Sequence, residues 1–109
     1  MASQLSAPPL RGPMTALSGK FDIYRAEELR ATLKEAEDRR IKTIDFSDVS
    51  FVDAASLGCL AGWKARMADM EVRLVGVRPH IARLFRIVGF DSLFSISEQL
   101  PDDPHYSFV

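Results

Sequence analysis

At Asp53 the periodicity of this chain changes, and no other feature constrains its fold as much. An apolar, strand-like stretch runs from Thr43 to Val52, and a helical pattern runs from Ala54 to Met67. Asp53 sits between them, where its carboxylate can accept a backbone N–H two or three residues on and the helix dipole favours its charge. The same step from strand to helix recurs along the chain. Met14 to Leu17 reads as a short strand with Gly19 as its turn, and Asp22 then caps a helix from about Tyr24 to Asp38. On that helix Ala26, Leu29, Leu33 and Ala36 share one side. Glu27 with Arg30, and Glu35 with Arg39, have the i,i+3 and i,i+4 spacings that support it.

Thr43 to Phe46 is the predicted central strand, β-branched or aromatic and closed by a Ser47-Asp48 turn. The helix after Asp53 aligns Leu57, Leu60, Ala61, Lys64 and Met67 on one stripe, with Lys64 at its edge. Val72, Leu74, Val75 and Val77 mark the next strand. Pro79 suits the first turn of a third helix, where its missing N–H costs nothing. Ile81, Leu84, Phe85 and Val88 form that helix's buried face, with Gly89 as its stop. Phe94-Ser95-Ile96 reads as a last short strand, followed by a helical turn at Ser97–Leu100. Leu33, Phe46, Leu57, Leu60, Leu74 and Leu84 are expected in the core, with Cys59 as a small buried residue beside them. Strand and helix in alternation imply an α/β fold. The expected form is a single small domain with a mostly parallel sheet of four to five strands, flanked by three or four helices.

A chain of 109 residues is one domain with one core. Its expected organisation is an N-terminal segment 1–12 with an edge strand at most, a domain over 13–100, and a tail over 101–109 interrupted by Pro101 and Pro104. Fourteen basic residues against fifteen acidic ones leave a net charge of −1. That balance carries no whole-domain basic footprint for nucleic acid or an anionic membrane. The densest basic stretch, Arg39-Arg40-Ile41-Lys42, reads as charge opposing the negative end of the first helix dipole. The single cysteine forms no intrachain disulfide. No apolar run has the length of a membrane span and the N-terminus lacks a signal-peptide pattern, so direct membrane insertion is not expected and the cytoplasm is the default location.

Catalytic motifs are not found: no phosphate-binding glycine loop, no cysteine pair at zinc spacing, no paired histidines on a helix. Neither an enzyme nor a cofactor or metal is expected. His80, following Pro79 at a helix start, reads as a partner contact or as a plain surface residue. Asp102, Asp103 and His105 are weighed as a metal set against an ordinary polar tail. A Ser56–His80–Asp53 triad can be written down, but nothing in the spacing supports it. Asp22 and Asp53 are read as N-caps that also lie at the C-terminal ends of strands, the edge where open α/β sheets present sites.

The run Phe51-Val52-Asp53-Ala54-Ala55-Ser56-Leu57-Gly58 resembles the signature of the STAS domain family, of the anti-sigma factor antagonist type. There an apolar pair is followed by Asp-Ser-Ser/Thr-Gly-Leu-Gly. Leu17-Ser18-Gly19-Lys20-Phe21-Asp22 is similar to the family's Leu-Ser-Gly-Glu-Leu-Asp, and Ile44-Asp45-Phe46-Ser47-Asp48-Val49 to its central strand. Leu74 to Pro79, Arg83-Leu84-Phe85 and Val88-Gly89-Phe90 resemble its fourth strand and third helix. The resemblance implies a non-catalytic protein-interaction module that binds an anti-sigma factor, often a serine kinase of the histidine-kinase-like ATPase type, and so releases a sigma factor. It also implies that the first serine after the aspartate is the phosphoacceptor. Ala54 occupies that position here, and Ser56 stands where the family has glycine. The implied contact surface comprises Lys20, Phe21, Asp22, Ile23 and Tyr24; Asp53, Ala54, Ala55, Ser56, Leu57 and Gly58; and Arg78, Pro79 and His80. An alternative role within the same family is a subunit or scaffold of a transport or signalling complex. A monomer and a dimer both fit this pattern.

Overall fold

The computed structural model describes residues 13–100. Four strands form one parallel sheet in sequential order: β1 (Thr15–Phe21), β2 (Thr43–Val52), β3 (Arg73–Val75) and β4 (Ser95–Ile96). The crossovers are three α-helices, α1 (Ala26–Asp38), α2 (Ala54–Arg66) and α3 (Pro79–Ile87). The expected α/β fold and parallel sheet are thus present. The segments 1–12 and 101–109 lie outside the described residues, and with them the Asp102, Asp103 and His105 set.

The core is built by one face of each helix against the sheet. Leu29 and Leu33 of α1, Leu60 and Trp63 of α2, and Ile81 and Phe85 of α3 are all buried, with Ile44, Phe46, Val49 and Leu74 from the strands. Each such side chain contributes about 1.5–3 kcal/mol by leaving water. Phe85 meets Phe46 edge-on at 5.6 Å between centroids and Phe90 at 5.4 Å, which ties α3 to the sheet. Gly89 follows α3 with φ +84°, a left-handed stop that favours glycine.

β2 runs ten residues rather than stopping at Ser47-Asp48. The turn-forming side chain is used inside the strand: Asp45 Oδ1 accepts the Ser47 N–H at 2.8 Å. The pairing with β1 slips there, from Ala16 opposite Asp45 to Ser18 opposite Asp48, and slips again from Gly19 opposite Val49 to Lys20 opposite Phe51. Each slip puts an extra residue on β2, a bulge that breaks simple alternation. Phe46, Val49 and Val52 are consequently buried at a spacing of three, and Phe51 is turned outward. Gly19 is not a turn. It lies within β1 at φ +90°, beside the second slip.

Other local expectations shift by small amounts. Asp22 caps a short 3-10 turn, Ile23–Arg25, and α1 proper begins at Ala26. The α2 stripe is rotated: Ser56, Leu60 and Trp63 face the core, while Leu57, Ala61 and Lys64 are half-buried at its margin. Leu84 and Cys59 are half-buried, and Val88 is 45% exposed. Residues Ser97–Leu100 form no helical turn. They continue alongside β3, where Ser97 O accepts the Val77 N–H and Gln99 O accepts the Gly76 N–H, both at 3.0 Å. The expected pairs on α1 are formed, with Arg30–Glu27 at 2.6 Å and Arg39–Glu35 at 3.6 Å. Both are exposed pairs, of a kind worth well under about 1 kcal/mol.

Candidate functional site

Phe21 and Val52 are register partners on adjacent strands. Asp22 and Asp53 therefore leave the sheet side by side at its C-terminal edge. Both have extended backbones, and each carboxylate turns back onto the helical turn that follows. Asp22 Oδ1 accepts the Tyr24 N–H at 3.0 Å, and Asp53 Oδ1 accepts the Ser56 N–H at 2.9 Å. Each bond satisfies one of the free N–H groups that open a helix.

The two strand ends are joined through one carbonyl. Phe21 O accepts the Asp53 N–H at 3.0 Å and the Ser56 hydroxyl at 3.0 Å. Ser56 is fully buried as a result. Its hydroxyl bonds across the fold and not within its own helical turn. The side chain of Ala54, two positions earlier, is exposed at the helix start. The rotation of about 200° between these positions on an α-helix accounts for the difference.

Arg25 organises the neighbouring turn. Its guanidinium donates to Ser18 O at 2.8 Å and Lys20 O at 3.2 Å, lies 4.2 Å from the centroid of the Phe21 ring, and pairs with Glu28 at 2.6 Å. The hydrogen bond to Arg25 holds the Glu28 carboxyl below its ordinary range and raises the Arg25 guanidinium in turn. Arg25 precedes α1 and lies outside its buried stripe. Its reach back into β1 needs the turn to be folded before it can be seen.

The start of α3 borders the same edge. β3 pairs only with Thr43–Asp45, so beyond Asp45 the β2 flank facing it is not laddered. Arg78 Nε donates to Ser47 O at 3.2 Å, and His80 Nε2 lies 3.0 Å from Ser50 O. His80 is thus fastened to β2, and the Ser56 hydroxyl is spent on Phe21 O, so neither the imidazole nor that hydroxyl bonds to the Asp53 carboxylate. A catalytic triad is not assembled. Among the described residues no group of three His, Cys, Asp or Glu is placed to hold a metal ion.

Of the residues marked by the sequence, Lys20, Ile23, Tyr24, Ala54, Gly58, Arg78, Pro79 and His80 are exposed. Asp22, Asp53, Ala55 and Leu57 are half-buried. Phe21 and Ser56 are buried, and they serve the site from beneath rather than as contacts. Phe51 was missed. The bulge at Ser50 turns it out to 46% exposure, and Ile23 at 65% and Tyr24 at 91% are uncovered at the same end of the sheet. Large apolar side chains left in water at this end of the sheet make a surface suited to contact.

Comparison with known proteins agrees with this geometry. A family model described as Mlab, STAS domain matches residues 9–97. The anti-sigma-B factor antagonist of Staphylococcus aureus (strain NCTC 8325 / PS 47) is 29% identical over 86 residues, covering 75% of this chain and 80% of that protein. The anti-sigma-B factor antagonist of Listeria monocytogenes serovar 1/2a is 29% identical over 84 residues, covering 73% of this chain and 74% of its own length. Among solved structures, a candidate anti-sigma factor antagonist from Thermotoga maritima superposes with a TM-score of 0.65 at 16% identity, over 93% of this chain and 90% of the other. The anti-sigma factor antagonist SpoIIAA in its unphosphorylated form gives a TM-score of 0.57 at 19% identity, over 87% and 84%. The phosphorylated form, described as a Bacillus cell fate determinant, gives 0.55 at 19% identity over 87% and 86%.

Proposed function

The chain belongs to the STAS domain family, and from that premise we propose that it is a non-catalytic binding module acting as an anti-sigma factor antagonist. In this reading it engages an anti-sigma factor, of the serine-kinase, histidine-kinase-like ATPase type, and frees a sigma factor. The observation that carries it is the sheet edge itself. Asp22 and Asp53 stand side by side there, with exposed Ala54 at the helix start and Ile23, Tyr24 and Phe51 uncovered around them. An apolar fringe around fixed carboxylates fits a partner with basic groups set about an apolar depression.

Ala54 bears on regulation. A phosphate at this position would add about −1.5 to −2 charges beside Asp53, partly offset by the N-terminal end of α2. Alanine has no hydroxyl to accept it, so the surface keeps a single charge state and the module stays competent to bind. A second reading keeps the fold and makes the chain a subunit or scaffold of a transport or signalling complex. The same Ala54 favours it, because a scaffold needs no phosphoacceptor.

The test is binding of wild-type and Asp53→Lys chains to each purified anti-sigma factor and kinase-like ATPase of the source organism, by calorimetry. Loss of the cap costs about 1 kcal/mol of stability, whereas reversing a charge at the centre of a contact costs about 2–5 kcal/mol of binding. The expected result is a folded variant whose binding falls far more than its stability. Unaltered binding by the variant would rule out the proposed surface, and no binding by any of these partners would rule out the antagonist reading.

A further inference from the structure

A groove of about 500 Å³ runs between α1 and α2, on the outer side of the helix layer. Arg30 and Lys34 of α1 and Arg66 of α2 line it, and no carboxylate does. Each cation has an acidic partner, Glu27, Asp38 and Glu37 respectively, but those partners lie outside the lining. The three basic side chains are 56%, 62% and 53% exposed, so their pairs are solvent-washed and readily exchanged. The groove therefore presents basic side chains on both walls, with their carboxylate partners set back from the lining.

Its floor is α2, and two glycines four positions apart, Gly58 and Gly62, leave that floor low. A Cβ built at either would meet nothing within 4 Å, and neither has a positive φ. The fold therefore has no steric or conformational use for glycine at these positions, although glycine inside a helix is costly. Room above the helix backbone is what these residues provide. A ligand held by a deep pocket is not what this shape suits, since every polar side chain in the wall is more than half exposed. A ridge of macromolecule laid along the groove fits better, and a helix with small residues on one side can approach α2 closely.

We propose that the α1–α2 groove receives an acidic helix of a partner protein, its small-residue face over Gly58 and Gly62 and its carboxylates on Arg30, Lys34 and Arg66. Gly58 also belongs to the edge surface described above, so the two contacts are continuous. Only the identity of the partner rests on the antagonist reading; the groove's chemistry stands without it.

The experiment titrates the isotope-labelled full chain, followed by NMR, with a capped peptide of about four helical turns carrying alanine on one face and glutamate on both flanks. A peptide with lysine in place of glutamate is the control. Saturable shifts at Gly58, Cys59 and Gly62 with the acidic peptide alone are expected. A Lys34→Glu, Arg66→Glu double variant and a Gly62→Leu variant should each weaken binding roughly tenfold or more. Gly62→Leu should melt no lower than wild type, because a Cβ at this position meets no neighbour and leucine favours the helix over glycine. Absence of saturable shifts, equal shifts with the lysine peptide, or undiminished affinity in both variants would overturn the proposal. Peptide binding without capture of any anti-sigma factor would leave the groove standing and remove the antagonist reading. Capture that depends on Asp53, with no peptide binding, would do the reverse.

Discussion

The hydroxyl of Ser56 donates to the carbonyl of Phe21 at 3.0 Å, across 35 positions of sequence. Because the same carbonyl accepts the Asp53 N–H at 3.0 Å, one atom holds the end of β1 against the start of α2. Ser56→Ala leaves that carbonyl still bonded to Asp53, so the loss should be about 1 kcal/mol. Ser56→Gly should cost about 1 kcal/mol more, from backbone freedom inside the helix. Urea denaturation of the three proteins measures both steps. A Ser56→Ala midpoint equal to wild type would mean that the bond is not part of what holds the two strand ends together.

The buried serine and the exposed alanine lead to a modification experiment. With a family kinase and ATP, the wild-type chain should keep its intact mass, since Ala54 offers no hydroxyl and Ser56 is closed off by Phe21. Ala54→Ser should gain one phosphate if the edge around Asp22 and Asp53 still docks the kinase. Phosphate on wild-type Ser56 would contradict the geometry. A kinase that binds both proteins and modifies neither would favour the scaffold role.

Glycines in this chain should respond in opposite directions. Gly58→Ala and Gly62→Ala should each stabilise by about 0.5–1 kcal/mol, because helix propensity improves and no neighbour is met. Gly76→Ala should destabilise by about 1–3 kcal/mol. Gly76 sits at φ +64°, and a Cβ there would lie 3.0 Å from Ser47 Cβ and 3.2 Å from Asp45 Oδ1. Thermal melts of the three variants suffice. A stabilised Gly76→Ala would show that the turn after β3 relaxes more freely than its packing implies.

Trp63 is the single tryptophan and is completely buried, and its Nε1 has no hydrogen-bond partner among the described residues. Its emission should be blue-shifted and insensitive to iodide until the chain unfolds. Trp63→Ala should cost about 3–5 kcal/mol through the cavity it leaves. Trp63→Phe should cost clearly less, since losing ring volume is offset by removing an unpartnered N–H worth about 1–3 kcal/mol. Equal losses for the two variants would argue that the indole N–H is satisfied after all.

Much of this architecture is legible in the sequence because it is decided within a few residues. The Asp22 and Asp53 caps act on N–H groups two and three positions away, Pro79 opens α3 by its own missing N–H, and Gly89 ends it by its own left-handed backbone. Alternating strand and helix patterns then leave a parallel sheet as the economical way to bury their apolar faces.

What the sequence did not disclose depends on how distant segments register. Two residues added to β2 relative to β1 decide that Phe51 faces water and that Phe46, Val49 and Val52 face the core, a choice that local alternation reads wrongly. The rotation of α2 against the sheet buries Ser56 and Trp63 and leaves Leu57 at the margin. Arg25, His80 and Ser56 find their acceptors only where the chain returns from 5 to 35 positions away. By itself the sequence determined the elements, their caps and the family pattern, through interactions of short reach. Which side chains support the site and which are offered to a partner was decided by the tertiary structure alone, because strand register and helix rotation are settled by packing the whole core at once.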